Sequence, residues 1–193
     1  MTELIAMQVL PVIPSWTELH PLIIHFPIAL LLVAPAFIIA GIVMKSQNGR
    51  PYLITALALM VLGTLGTVAA VLTGEAAAEV AHRTAGMTVV LERHQELAEL
   101  TRDIFGLLSV IFAVILFAPR WLKRETTAAG ARVLAAAFLI FYGAGTVVLV
   151  NTAHHGGRLV HEFGVHSILA PTQEAAHNAD SDAATAEPSE SDR

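Results

Sequence analysis

The 193-residue chain is too apolar for an ordinary soluble domain. Hydrophobic residues make up 55% of it, charged residues only 14%, and the mean hydropathy is +0.65, whereas soluble domains carry about 25% charged residues. The sequence contains no cysteine, which excludes disulfides, thiolate metal sites, iron–sulfur clusters and covalently attached haem. The net charge of −5 disfavours a nucleic-acid-binding protein. These properties predict an integral membrane protein.

Four stretches of the sequence contain no Asp, Glu, Lys or Arg, and they cover residues 22–44, 52–73, 104–119 and 133–152. A membrane-spanning helix needs about 20 predominantly apolar residues. Three of the stretches meet that length, and Leu97, Ala98 and Leu100 extend the apolar face of the third. A buried soluble helix explains any one stretch, but four in one small chain predict an all-α, four-helix transmembrane bundle.

The distribution of charge predicts the orientation of the bundle. The first and third connections carry the basic residues Lys45, Arg50, Arg120, Lys123, Arg124 and Arg132. All acidic residues except Glu125 lie on the other side. Because short basic loops stay in the cytoplasm, both termini should lie outside it, in the bacterial inner (cytoplasmic) membrane. With no Lys or Arg before the first span, no cleavable signal peptide is expected.

The connection between the second and third spans is polar but has a helical pattern. Thr84, Ala85 and Gly86 supply a break, and an apolar face then recurs at helical spacing from Met87 to Thr101. Helices 2 and 3 should therefore project beyond the outer face, at about 30 residues or 45 Å each. The expected units are an interfacial segment 1–17, a membrane domain 18–168 and a disordered acidic tail 169–193.

The histidines of the domain all fall on the predicted outer side: His20, His25, His82, His94, His154, His155, His161 and His166. The number of residues between each candidate and the cytoplasmic end of its span, at 1.5 Å per residue, gives its height in the bundle. These heights differ by no more than about 10 Å between helices. Bundle cofactor sites are built from side chains on facing helices. We therefore expect His25, His94 and His154 in one cofactor layer, with His20 and His161 as the next candidates. The alternative is that these amphipathic rings lie at the polar membrane interface without binding a cofactor.

Two motifs in the sequence resemble those of a known family. The opening segment from His20 to Leu30 reads HPLIIHFPIAL, and the closing segment contains His154, Gly156, Gly157, Leu159 and His161. This organisation, over roughly residues 18–168, resembles a bacterial membrane domain of unknown function, number 2231 in its series. Relatives joined to cytochrome c modules imply a setting of electron transfer, although this chain has no CxxCH motif. The family name implies no activity.

Three functions remain open at this point. The first is a b-type haem protein that transfers electrons near the outer face, since haem iron accepts two axial imidazoles and non-covalent haem needs no cysteine. Its expected partner is a periplasmic cytochrome or a membrane redox complex. The motifs of nucleophile elbows, phosphate loops and dinucleotide folds are absent from the sequence, so catalysis has little support.

The second function is a non-haem site for a copper, zinc or iron ion. Its candidate ligands, besides the histidines above, are Glu75, Glu79, His82, His155 and Glu162. Glu79 and His82 have the Glu-x-x-His spacing of di-iron bundles, but a second copy is absent from the sequence. The third function is a structural or assembly subunit. Gly63, Gly66, Gly143 and Gly145 would then allow close helix contacts within the protein or in a homo-oligomer.

Overall fold

The computed structural model describes residues 15–44, 46–81, 83–121 and 128–165. The predicted tail 169–193 and all but the end of the predicted segment 1–17 lie outside these residues. A short 3₁₀ turn, Trp16–Glu18, precedes five helices. The helices are α1 (His20–Ile23), α2 (His25–Val43), α3 (Ser46–Val80), α4 (Ala85–Trp121) and α5 (Ala128–His161). The described part of the chain contains no strand, so the predicted all-α class is confirmed.

Four helical segments are long and apolar enough to cross a membrane: His20–Val43, Asn48–Val80, Ala85–Pro119 and Val133–His161. The first span consists of α1 and α2, because the single residue between them, Ile24, keeps right-handed helical angles. Large apolar side chains cover the outer surface of the spans, for example Leu65, Val110 and Ile140. A lipid bilayer is the environment that suits such a surface. The prediction of four spans is confirmed.

The two central helices are longer than the bilayer requires. Helix α3 has 35 residues and α4 has 37, which correspond to about 52 and 55 Å at 1.5 Å per residue. The hydrocarbon core of a bilayer is about 30 Å thick. Both helices exceed the predicted length. Their projection beyond the outer face, and the side on which the termini lie, stay predictions.

The four spans pack in an up-and-down order, so that α2 contacts α3, α3 contacts α4, α4 contacts α5, and α5 closes against α2. The first and third spans are therefore diagonal neighbours. Small residues set the closest approaches, since a Cβ at Gly63 would lie 2.7 Å from the side chain of Leu31, and one at Gly145 would lie 2.9 Å from Ile104. Gly63 and Gly145 therefore allow close helix contacts within the protein, which is one of the two alternatives predicted for them.

Two apolar clusters form the interior. The main core contains Leu31, Ala34, Ile38, Ala56, Met60, Phe105, Leu108, Phe112, Phe138, Tyr142 and Leu149. The end cluster contains Ala78, Met87, Val90, Leu91 and Leu159, with Phe163 and Val165 packed against it. Between the clusters along α3, α4 and α5 lies a set of polar residues, which we call the histidine layer: His20, Thr73, His94, Thr101 and Thr152.

Helix α5 continues through Gly156 and Gly157 without a break. It ends instead near Gly164, which has a φ of 63°. The Gly164 amide donates to the carbonyl of Val160, and the Val165 amide donates to that of Leu159. The first bond is that of the αL motif, in which the amide of the left-handed residue donates to the carbonyl four residues earlier, and Val165 packs in the same apolar cluster as Leu159. The closing segment is thus ordered helix as far as its glycine cap.

Candidate functional site

His20 is held at the first turn of α1 by the second span. Its Nδ1 lies 2.9 Å from the carbonyl oxygen of Ala70 and 3.3 Å from Oγ1 of Thr73. Because a carbonyl can only accept, Nδ1 carries the hydrogen and donates it. The other ring nitrogen, Nε2, is then the basic one in the neutral imidazole. Pro21 stands in the first turn of α1, where the absence of an amide hydrogen costs nothing.

His94 is held in the same way by the fourth span. Its Nδ1 donates to the carbonyl oxygen of Thr152 at 3.0 Å. The side chain is half-buried and lies between Leu91 of the end cluster and Leu97, both of which are buried. The predicted apolar face of α4 from Met87 to Thr101 is therefore confirmed, and it carries His94 into the bundle.

The two rings meet across the diagonal of the bundle. Their centroids are 6.4 Å apart, and the ring planes are inclined at 84°. Neither Nε2 has a hydrogen-bond partner within the described residues. The site thus offers two imidazoles, each with its tautomer fixed through Nδ1 and its basic nitrogen available. Metal-binding histidines are commonly oriented by such a bond to a carbonyl.

The two histidine positions repeat one arrangement. The first hairpin consists of the first span and α3. In it His20 donates to the carbonyl of Ala70, and its ring packs on Gly74, four residues after Ala70 on α3. The second hairpin consists of α4 and α5. In it His94 donates to the carbonyl of Thr152, and its ring packs on Gly156, again four residues later on α5. Each hairpin therefore holds one imidazole with one carbonyl and one glycine from its second helix.

Threonine hydroxyls complete the histidine layer. Oγ1 of Thr101 and Oγ1 of Thr152 are 2.9 Å apart, and both are buried. Each hydroxyl also lies within hydrogen-bond distance of the carbonyl of Leu97. Thr73 donates to the carbonyl of Ala69 at 2.8 Å. Every fully buried side-chain nitrogen and oxygen in the described residues has a partner, so the threonines of the layer form a satisfied polar network inside an apolar bundle.

The other predicted histidine ligands lie outside this pair. His25 is exposed, and its Nδ1 donates to the carbonyl of Pro21 in the same span at 2.8 Å. His154 and His161 share one face of α5, as predicted if that helix continued, and both are exposed. The structure brings His20 and His94 together. It does not bring His25 or His154 to them.

His154 and His161 line an open surface cleft of about 230 Å³, together with Gly157, Arg158 and Glu162. The Arg158 guanidinium donates two hydrogen bonds of 2.8 Å to the Glu162 carboxylate. This bonding lowers the pKa of the Glu162 carboxyl below its ordinary value. The carboxylate is occupied by arginine, which leaves it a poor candidate for a metal ligand.

The predicted carboxylate ligands are also dispersed. Glu75 and Glu79 are exposed on α3 and make no hydrogen bond or salt bridge with the described residues. His155 donates from Nδ1 to the carbonyl of Asn151, and its ring meets that of His154 at 5.7 Å. His82 lies outside the described residues. Among residues 15–44, 46–81, 83–121 and 128–165, no group of three or more His, Asp or Glu is placed to hold a metal ion.

A family model described as "Predicted membrane protein (DUF2231)" matches residues 17–168. The chain belongs to this family. The match covers both hairpins and therefore both histidine positions. No curated protein and no solved structure matches the chain. The family description states a membrane location and no activity, so the function of this DUF2231 chain has to be argued from the histidine layer.

Several residues of the site were missed by the sequence argument. Ala70, Thr73 and Gly74 supply the contacts to His20, and Thr152 supplies the acceptor for His94. A signal for them exists in the spacing, because Gly63, Gly66, Ala70 and Gly74 recur every three or four residues along α3. Such a stripe of small residues marks the face of a membrane helix that a neighbour approaches closely.

Proposed function

We propose that this chain is a membrane-embedded, b-type haem-binding electron-transfer subunit, with His20 and His94 as the two axial ligands near the outer face of the membrane. The observation that carries the proposal is the diagonal pair of imidazoles. Their Nδ1 atoms are bonded to carbonyls, and their Nε2 atoms have no partner among the described residues.

The number of ligands favours haem over a bare metal ion. Haem iron needs only two axial ligands from the protein. Structural zinc sites take four protein ligands, and catalytic zinc sites take three. The described residues hold two imidazoles in the pair and no group of three or more candidate ligands. The donor set therefore fits a cofactor that brings its own equatorial nitrogens.

The spacing of the rings also fits this assignment. A metal bonded from opposite sides to two imidazole nitrogens, at about 2.0 Å each, holds the ring centroids roughly 6 Å apart. The observed separation is 6.4 Å. At this level α3 and α5 carry small, partly buried residues, among them Ala69, Gly74 and Gly156. Small side chains on the two flanking helices suit a flat group between the two diagonal ones.

The protein's own residues orient the ligands and place them between the two apolar clusters. The bonds to Ala70 and Thr152 keep each imidazole in the tautomer whose Nε2 can bind iron. The main core and the end cluster cover the histidine layer from both sides along the bundle. A bound haem would supply one-electron transfer between the ferric and ferrous states. With both axial ligands from the protein, we expect electron transfer with a periplasmic cytochrome or a membrane redox complex as partner.

A two-coordinate metal ion, such as copper, is the second candidate. The same ring separation would accommodate a single ion without a macrocycle, and imidazole is a ligand that suits copper. The experiment that separates the candidates is an absorption spectrum, with elemental analysis, of the full chain purified in detergent after expression with ample haem and metals.

A Soret band with sharp α and β bands after reduction supports haem. One equivalent of copper without a Soret band supports the second candidate. Protein with neither haem nor stoichiometric metal overturns both and leaves a structural or assembly subunit as the better explanation.

A further inference from the structure

A glycine lies against each of the two rings, at a position where a side chain would crowd the imidazole. A Cβ at Gly74 would lie 3.0 Å from Cε1 and 3.2 Å from Nδ1 of His20. A Cβ at Gly156 would lie 3.0 Å from Cε1 and 3.5 Å from Nδ1 of His94. The distances of 3.0 and 3.2 Å are tighter than nine in ten Cβ contacts in proteins, whereas 3.5 Å is an ordinary contact. Any other residue at either position would push on the imidazole.

The rings have little freedom to give way. Each Nδ1 is bonded to a carbonyl one turn before the glycine on the same helix, Ala70 in one case and Thr152 in the other. A ring displaced from the glycine by a few tenths of an ångström must lengthen or tilt that bond. The direction of Nε2 would change with it, since the imidazole is rigid.

The contacts of these two glycines differ from those of the glycines in the helix packing. The nearest atoms to a Cβ at Gly63 belong to Leu31 and Leu30, and those at Gly66 belong to Pro27. At Gly74 and Gly156 all three nearest atoms belong to the imidazole. The glycine at these two positions therefore accommodates the ring itself and not a neighbouring aliphatic side chain.

We infer that Gly74 and Gly156 are positioning residues of the site, each of which sets the orientation of one imidazole and so the direction of its Nε2. The seating of the rings follows from the contacts alone. The effect of this ring orientation on cofactor binding rests on the proposed function.

The experiment compares Gly74→Ala and Gly156→Ala with Gly157→Ala in the full chain. Gly157 is the matched control, because it neighbours Gly156 on the same helix and a Cβ there would meet nothing within 4 Å. Alanine favours helix over glycine, so all three variants should retain their helical content. Ring signals of isotopically labelled histidine, measured by NMR without added cofactor, report the seating directly.

We expect Gly74→Ala to move the ring signals of His20 and Gly156→Ala to move those of His94, while Gly157→Ala moves neither. In haem-loaded protein the first two variants should retain haem roughly 10–100-fold more weakly, or show a shifted reduced spectrum, as loss of an outer-shell partner does at metal sites. If Gly74→Ala and Gly156→Ala match the control in the ring signals, the inference is overturned.

The ring signals also separate this inference from the proposed function. If they move as expected in a wild-type protein that binds no haem or metal, the positioning role stands and the proposed function fails. If haem is bound and the ring signals move but the spectrum and retention stay at the control values, the inference fails for the cofactor while the proposed function stands.

Discussion

The phenol of Tyr142 on α5 donates a hydrogen bond of 2.7 Å to the carbonyl oxygen of Leu31 on α2. Both residues are fully buried, and the edge of the Phe105 ring packs against the tyrosine at 5.2 Å between centroids. This bond joins the first and fourth spans, which are the two ends of the up-and-down order. It closes the ring of helices at the centre of the main core.

Replacing Tyr142 with Phe should keep the packing of the ring and remove this bond. We expect the free energy of unfolding to fall by about 0.5–1.5 kcal/mol, the range for one hydrogen bond within a protein or between membrane helices. Unfolding in mixed micelles measures the change. Phe141→Leu is the control, because Phe141 is exposed on the adjacent position. An unchanged midpoint for Tyr142→Phe would show that the bond does not stabilise the bundle.

The histidine assignment can be tested by single replacements with alanine. The paired rings predict that His20→Ala and His94→Ala each remove haem or change its spin state. The sequence motifs predict the same loss for His25, His94 and His154. Because His25 and His154 are exposed and lie outside the pair, we expect their variants to keep the wild-type spectrum. Retention of haem by His20→Ala with loss in His25→Ala would favour the motif-based assignment.

A further stability test concerns the contact between α2 and α3. Gly63→Ala would place a methyl group 2.7 Å from the Leu31 side chain, and overpacking of this kind costs about 1–3 kcal/mol. A Cβ at Gly143 would meet nothing within 4 Å. Gly143→Ala should therefore be neutral or stabilise the protein by up to about 1 kcal/mol, because alanine favours helix. Equal effects of the two substitutions on the unfolding midpoint would contradict the packing seen at Gly63.

The orientation of the bundle is open to a direct test. Reporter fusions at residue 48 and at the C terminus should report the cytoplasm and the periplasm, respectively, because the first and third loops carry the basic residues. An active periplasmic reporter at residue 48 would reverse the predicted topology, and it would place the histidine layer near the cytoplasmic face.

The amides of residues 89–100 should exchange slowly with solvent. They lie within α4, and the buried residues Val90, Leu91 and Leu97 anchor this stretch. The first turn of the same helix, from Ala85, should exchange faster, since its amides lack partners within the helix. Hydrogen exchange measured in detergent gives both values. Fast exchange across the whole of 89–100 would show that this part of α4 is not rigid.

The fold could be predicted because stretches without charge mark spans almost independently of tertiary contacts. The helices are longer than predicted, because α3 begins at Ser46 and α4 continues to Trp121, beyond the charge-free stretches. The sequence at the ends of these helices is polar or mixed, and hydropathy alone does not distinguish a helix that leaves the bilayer from a loop. At the end of α3 and the start of α4, tertiary packing in the end cluster supplies stabilisation that hydropathy does not report.

The pair of ligands was harder to predict, because height along a helix does not give rotation about it. His20 and His25 are separated by five residues, or about 140° around a helix at 3.6 residues per turn. When His20 faces the second span, His25 must face away. His154 and Gly156 are separated by about 160° on α5 for the same reason. The choice between such positions depends on which face the neighbouring helices approach, and that is decided by contacts distant in sequence.

Each imidazole is held by its own hairpin, His20 by α3 and His94 by α5, and the gap between the two basic nitrogens is therefore set by how the hairpins dock. Contacts far from the histidines, such as the 3.1 Å approach of Thr64 Oγ1 to Ser109 Oγ between α3 and α4, determine that docking. A loosened α3–α4 interface would therefore change the separation of the two rings while both hydrogen bonds to the carbonyls stay intact.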